Sequence, residues 1–115
     1  MADPTPDTAP VTPAEVSVFV EAGRYVLRTD DSLPIYSFDG DGRNESNCDA
    51  VCVLTWRPVT APSTANTVGA WKAIVRADGS RQWAYKGKPV YTYARDQPGQ
   101  ITGDGIDGRW HVVNS

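Results

Sequence analysis

An eight-residue pattern occurs twice in this chain. Pro34-Ile35-Tyr36-Ser37-Phe38-Asp39-Gly40-Asp41 and Pro89-Val90-Tyr91-Thr92-Tyr93-Ala94-Arg95-Asp96 each read Pro, β-branched, Tyr, hydroxyl, aromatic, two spacers, Asp. An internal repeat fixes architecture more firmly than any single motif, because each copy must build the same supersecondary unit. The echo extends outward. Upstream, Val16-Ser17-Val18-Phe19-Val20, a turn at Ala22-Gly23 and Arg24-Tyr25-Val26-Leu27-Arg28 match Ala73-Ile74-Val75-Arg76, a turn at Asp78-Gly79 and Arg81-Gln82-Trp83-Ala84-Tyr85. Downstream, Trp56-Arg57-Pro58-Val59 matches Trp110-His111-Val112-Val113. Each unit therefore reads strand, turn, strand, aromatic strand, long loop, Trp strand, and 16–59 should superpose on 73–113 with Tyr36 over Tyr91 and Trp56 over Trp110.

Alternation of apolar residues supports strands in both copies. Val16, Val18 and Val20 share a face, as do Tyr25 and Leu27, and Trp83 and Tyr85. Asp78-Gly79 and Lys86-Gly87 offer residues that accept positive φ at hairpin turns. Pro34 and Pro89 each open an aromatic strand, where a missing N–H costs least. The helical signal is confined to one place: Cys48, Val51 and Cys52 fall at helical spacing, with Ser46 or Asn47 in position to cap a short turn. The corresponding stretch of the second copy, 99–108, is glycine-rich and reads as an irregular loop. The expected fold is mainly β: two pseudo-symmetric antiparallel four-strand units, about 16–65 and 66–115, packed as one small domain. Neither unit buries enough surface to stand alone.

Residues 1–15 differ in composition. Pro4, Pro6, Pro10 and Pro13 stand among three acids and no base, which suggests a flexible Pro-rich leader. The chain carries a net charge of −3. The first unit has four Lys and Arg against seven Asp and Glu, the second seven against four. The folded part is thus neutral overall and dipolar, without the basic face that nucleic-acid binding requires. No apolar run is long enough for a transmembrane helix.

The Tyr-x-aromatic-x-x-Asp pattern, joined to Ser46-Asn47-Cys48-x-x-x-Cys52-x-x-x-Trp56, resembles a family of bacterial secreted repeats and predicted lipoproteins marked by a tandem Tyr-x4-Asp motif. Arg76-Ala77-Asp78-Gly79-Ser80, Gly87-Lys88-Pro89-Val90-Tyr91 and Gly103-Asp104-Gly105 with Trp110-His111-Val112 resemble its second unit. The resemblance covers about residues 24–113. It implies an exported protein, periplasmic or extracellular and associated with the envelope, and it implies no activity.

The candidate chemistry is sparse. Cys48 and Cys52 are the only cysteines. Their spacing is compatible with a disulfide, and the implied export favours one. The alternative is a copper(I) or redox site formed by Cys48, Cys52 and His111, the only histidine. With Trp110 and Val112 turned inward, His111 should lie on the outer face of its strand. The acidic loop from Asp39 fails the calcium-loop template, having Asn44 at its sixth position and Ala50 at its twelfth. The motif residues Tyr36, Phe38, Asp41, Tyr91, Tyr93 and Asp96 read as architecture, since one active site does not need two copies. Asp41 and Asp96 are each placed to accept backbone N–H groups after a strand. No hydrolase, phosphate-binding or metalloprotease pattern is present. Most of the aromatics must fill the core; an aromatic groove for a planar or sugar ligand is the alternative use. The expected function is a non-catalytic secreted accessory module, without a cofactor, that binds an envelope protein or a small ligand.

Overall fold

In a computed structural model of the chain, the described residues are 11–21 and 23–113. The leader expected at 1–15 lies mostly outside them, as does Ala22 of the first turn. What is described of the leader is tied to the domain: Pro13 is buried and accepts the Val16 N–H at 3.0 Å. The Glu15 carboxylate accepts a 2.7 Å bond from the Trp83 indole N–H. Pro13 and Glu15 thus pack on the domain although their composition groups them with the leader.

Among the described residues eight strands alternate with loops, two of them long. They are β1 (Val16–Glu21), β2 (Arg24–Thr29), β3 (Tyr36–Phe38), β4 (Trp56–Pro58), β5 (Trp71–Val75), β6 (Arg81–Tyr85), β7 (Lys88–Tyr93) and β8 (Trp110–Val112). β1 and β2 form a separate hairpin sheet, and the other six form a second sheet. Every pairing is antiparallel. The expected mainly β fold of two four-strand units is observed.

The units do not pack side by side; they exchange strands. β3 and β7 lie next to each other with Tyr36 opposite Tyr91. The Trp strand of the first unit, β4, pairs with β7 of the second, with Trp56 opposite Tyr93. The Trp strand of the second unit, β8, pairs with β3 of the first, with Trp110 opposite Phe38. The central order β4-β7-β3-β8 thus has a pseudo-twofold axis between Tyr36 and Tyr91. Loop hydrogen bonds obey the same axis. Asp39 N–H to Arg109 C=O and Ala94 N–H to Thr55 C=O are both 2.8 Å, and Val59 N–H to Val90 C=O (3.0 Å) mirrors Val113 N–H to Ile35 C=O (2.8 Å).

Alternation along β3 and β7 sends side chains to two cores. One face builds a core of Val16, Leu27, Ile35, Val59, Trp71, Trp83, Tyr85, Val90 and Val113, roofed by the β1–β2 hairpin. The other face holds Tyr36, Tyr91, Tyr93, Trp56, Trp110 and Cys48, roofed by the two long loops. On that face Trp56 and Trp110 stack across the axis with centroids 3.8 Å apart. Phe38 stacks on Trp110 at 4.4 Å and Tyr93 on Trp56 at 4.5 Å. Tyr36 and Tyr91 meet Trp56 and Trp110 edge-on at 5.2 and 5.3 Å. Such pairs contribute about 0.5–1.5 kcal/mol each beyond area burial. The aromatics singled out in the sequence are thereby largely spent inside the fold.

Two local expectations need correction. The turn near the cysteines is a short 3-10 turn at Cys52–Leu54, and neither Ser46 nor Asn47 caps it. Asp49 does that work, its Oδ1 accepting the N–H groups of Val51 (3.1 Å) and Cys52 (2.9 Å). Ser46 and Asn47 are committed elsewhere, to Tyr91 and to the Gly40 carbonyl. The second loop is not wholly irregular: at Ile106–Gly108, the position equivalent to the first turn, it makes a kinked turn in which Asp107 (φ 56°) and Gly108 (φ 66°) are left-handed. Glycine hides this periodicity in the sequence. Gly105 (φ 84°) and Gly108 (φ 66°) adopt left-handed conformations that let the turn form without an apolar stripe.

Candidate functional site

The two motif copies are satisfied crosswise. The Tyr36 hydroxyl donates to Asp96 Oδ2 at 2.5 Å, and the Tyr91 hydroxyl donates to Asp41 Oδ2 at 2.7 Å. The second carboxylate oxygen of each Asp accepts a backbone N–H six residues downstream. Asp41 Oδ1 takes Asn47 N–H at 2.6 Å and Asp96 Oδ1 takes Thr102 N–H at 2.8 Å, with the Thr102 hydroxyl also bonded to Asp96. Each Asp therefore pins the start of its own long loop to the tyrosine of the other unit. Phe38 and Tyr93 stand in the aromatic stack.

The sites part company at the acceptor side of the tyrosine hydroxyl. Tyr36 Oη receives the Gly103 backbone N–H at 3.1 Å. A Cβ on Gly103 would lie 2.8 Å from Trp56 and 3.2 Å from Tyr36, so only glycine brings its backbone this close. In the repeat alignment the equivalent residue is Cys48, which has a Cβ. There Ser46 intervenes: its Oγ shares a 2.6 Å bond with Tyr91 Oη and accepts the Cys48 N–H at 3.3 Å. Since Tyr91 gives its proton to Asp41, Ser46 is the donor to Tyr91.

Arg76 extends this chain. Its Nη1 donates to Ser46 Oγ at 2.8 Å and to Gln82 Oε1 at 2.7 Å, and its Nη2 donates to the Cys48 carbonyl at 2.6 Å. Gln82 is fully buried and passes its amide N–H to the Val90 carbonyl at 2.8 Å. The result is a directed relay, Arg76 to Ser46 to Tyr91 to Asp41. Burial pushes the Asp41 carboxyl up, opposed by the Asn47 N–H, Tyr91 and Arg76. Burial likewise pushes the Tyr91 hydroxyl up to about 12, and burial together with Asp96 raises Tyr36 further. Both tyrosines are therefore held as neutral donors over the physiological range.

A hollow of about 670 Å³ opens beside the relay. Ala50, Val53, Pro58 and Ala77 give it apolar walls, and Ser46 and Arg76 form its polar floor. This volume suits a small ligand. The disulfide turn forms one wall and the β5–β6 turn, with Asp78, the other. Asp78 is held by its own turn through the N–H and hydroxyl of Ser80 at 2.9 and 2.6 Å, which lower its carboxyl pKa. The two most exposed large apolar side chains among the described residues, Val51 (77%) and Leu54 (74%), ride on the same disulfide turn.

Cys48 and Cys52 form the disulfide, with Cα atoms 5.1 Å apart. His111 is exposed on β8 between inward-facing Trp110 and Val112, and its Nε2 lies 2.8 Å from Asp39 Oδ2. The copper alternative needs both thiols, and both are bonded to each other. Among the described residues no group of three or more His, Cys, Asp and Glu side chains is placed to hold a metal ion. Sequence reasoning missed Arg76 and Gln82. No local pattern marks Arg76: it follows the end of β5 at Val75, and its partners Ser46 and Cys48 come from the other unit.

The fold and site define an all-β tandem repeat whose halves complete each other around an aromatic core. Residues 72–114 match the family described as a secreted repeat of unknown function. The family resemblance drawn from the motifs is thereby shown over the second unit, and the description accords with a periplasmic or extracellular protein. The disulfide agrees with an oxidising compartment. Among the described residues no helix is long and apolar enough to cross a membrane. No curated protein and no solved structure matches the chain.

Proposed function

We propose that this protein is a non-catalytic secreted accessory module that takes a small ligand, or a side chain of a partner protein, in the hollow between the disulfide turn and Arg76. The observation that carries this reading is the local break in symmetry. The hydrogen bonds around the axis are duplicated, yet only one Tyr–Asp pair opens, through Ser46 and Arg76, onto an apolar-walled hollow. A feature needed only for folding has no reason to differ between the halves. Among the described residues the guanidinium's hydrogen bonds go to neutral acceptors, the Ser46 hydroxyl, the Gln82 amide and the Cys48 carbonyl, while its charge also acts on Asp41 and Asp78. It therefore offers a polar anchor at the base of apolar walls, the usual form of a small-molecule site. Val51 and Leu54 add apolar rim that an occupant can cover. A non-catalytic role agrees with the titration of the relay, whose tyrosine stays protonated and has no activated nucleophile beside it.

The test is a ligand-observed NMR screen of small amphipathic compounds against the full chain, followed by amide-shift mapping. Hits should move the resonances of Ser46, Val53 and Ala77 and should vanish in Val53→Trp, which fills the hollow from its wall. Hits that persist in Val53→Trp, or that map to the opposite face, would sink the reading.

A further inference from the structure

The exchange of strands has a consequence for how two copies of this chain meet. Neither unit satisfies its own motif. Tyr36 needs Asp96 and Tyr91 needs Asp41; β3 needs β8 and β7 needs β4; Trp56 needs Trp110. Each contact is made between the units, and nearly every one is made twice across the pseudo-twofold axis. A unit of this kind is a half-fold whose complement is defined by chemistry and register, whichever chain supplies it.

The connection between the halves permits a change of supplier. The last backbone bond that the first unit makes to the second is Ala61 N–H to Arg81 C=O at 3.0 Å, and the second unit opens at Trp71. Residues 62–70 lie between them, mostly exposed; the Ala65 N–H to Pro62 C=O turn, the Val68–Trp71 bridge and the Lys86 N–H to Ala70 C=O bond hold them, and Ala65 and Val68 pack against the core. Extended, nine residues span about 30 Å, comparable with the 31 Å middle extent of the molecule. The disulfide does not block exchange, because Cys48 and Cys52 belong to one unit.

We propose that the chain forms an intertwined dimer by exchange of whole units, residues 13–61 of one copy closing on residues 71–113 of another through the same Tyr–Asp pairs and the same tryptophan stack. The partner is a second copy of this chain. The self-complementary interface inside the monomer argues for it: an exchanged dimer repeats every native contact and alters only the 62–70 hinge, the low-cost route to a dimer. Shortening the hinge favours it further, because it strains closure within one chain.

The test uses the only tryptophan pair stacked among the described residues. Trp56→Phe and Trp110→Phe each remove one member of the Trp56–Trp110 stack, so neither variant alone gives the exciton-coupled circular dichroism of stacked indoles. Unfolding the two variants together in equal amounts at high concentration and refolding them should restore the full couplet in one of the two lobes of each mixed dimer, which is about a quarter of the wild-type amplitude if all chains exchange and pair at random. The restored signal can arise only where Trp56 of one chain meets Trp110 of the other. Deleting residues 63–66 from the unsubstituted chain should shift it from monomer to dimer by light scattering, with the native couplet retained. No couplet in the mixture, from variants that each refold to a native β-sheet spectrum, would overturn the proposal. So would a folded monomer, or an unfolded chain, as the product of the hinge deletion.

Discussion

The two Tyr–Asp pairs are chemically alike and differ in what closes them. At Tyr36–Asp96 a backbone N–H from Gly103 packs directly on the hydroxyl, and Asp96 is buried. At Tyr91–Asp41 a serine and an arginine side chain occupy the corresponding space, and a hollow lies beside them. The closed site is made by the absence of a side chain, the open one by the presence of two. Repetition built the architecture, and substitution at one copy released a site from it. The closed pair should therefore matter most for stability, and the open pair for binding.

Asp96→Ala should be the most damaging change, costing about 3 kcal/mol, because it strips partners from the buried Tyr36 hydroxyl and from the Thr102 N–H together. Urea denaturation measures this, and a cost no greater than that of Asp41→Ala would break the contrast between the sites. Gly103→Ala should follow, at about 1–3 kcal/mol, since its methyl would press on Trp56, Tyr93 and Tyr36. Near-ultraviolet circular dichroism should report the disturbed tryptophan stack.

Reduction of Cys48–Cys52 should cost about 2 kcal/mol or less, because so short a loop constrains the unfolded chain little. Its effect should be local: faster amide exchange across 49–54 with protection of β3 and β7 intact. Loss of protection in the central sheet would show that the disulfide holds more than the wall of the hollow. Asp41→Ala should cost about 1 kcal/mol, as Ser46 and Arg76 remain beside the Tyr91 hydroxyl. A calorimetric midpoint lower than that of Asp96→Ala would reverse the assignment of open and closed sites.

The smallest effect is a pH slope with a defined sign. Tyr91, raised from 10.0 to about 12, and Tyr36, raised further, keep their protons longer in the folded than in the unfolded chain. Their contribution is fully present below pH 10 and is lost as pH rises through the folded values. Stability should thus fall between pH 10 and about 12, and Tyr36→Phe and Tyr91→Phe should each flatten that fall. Asp41 acts in the acid range, with its carboxyl raised above 3.8 by burial. As pH rises from 3.8 through the folded value the chain should lose a little stability, and Asp41→Asn should remove that slope. A rise over the same acid interval, lost in Asp41→Asn, would contradict the burial argument.

Much of this molecule was legible in one dimension. Strand alternation, turn residues and the Tyr-x4-Asp echo are local signals, set by backbone sterics and by which face of a pleat must be dry. They gave the eight strands of the described residues, the equivalence of Tyr36 with Tyr91, and an outward His111. The kinked turn at Ile106–Gly108 escaped notice because Gly105, Asp107 and Gly108 shape it through left-handed φ values and leave no apolar period to read. Arg76 and Gln82 escaped because a residue is marked as a site by its neighbours. For Arg76 those neighbours, Ser46 and Cys48, lie 30 and 28 residues away in sequence, and Gln82 enters the site only through Arg76.

What tertiary structure alone decided is who completes whom. Both units carry the same tyrosine, aspartate and tryptophan, so sequence chemistry is indifferent between a Tyr36–Asp41 pair within a unit and a Tyr36–Asp96 pair between units. The choice is made by sheet register. With β3 and β7 antiparallel and Tyr36 opposite Tyr91, each aspartate comes within reach of the other unit's hydroxyl and each Trp strand pairs with the other unit's aromatic strand. Register is a property of two segments held together, and neither segment carries it alone.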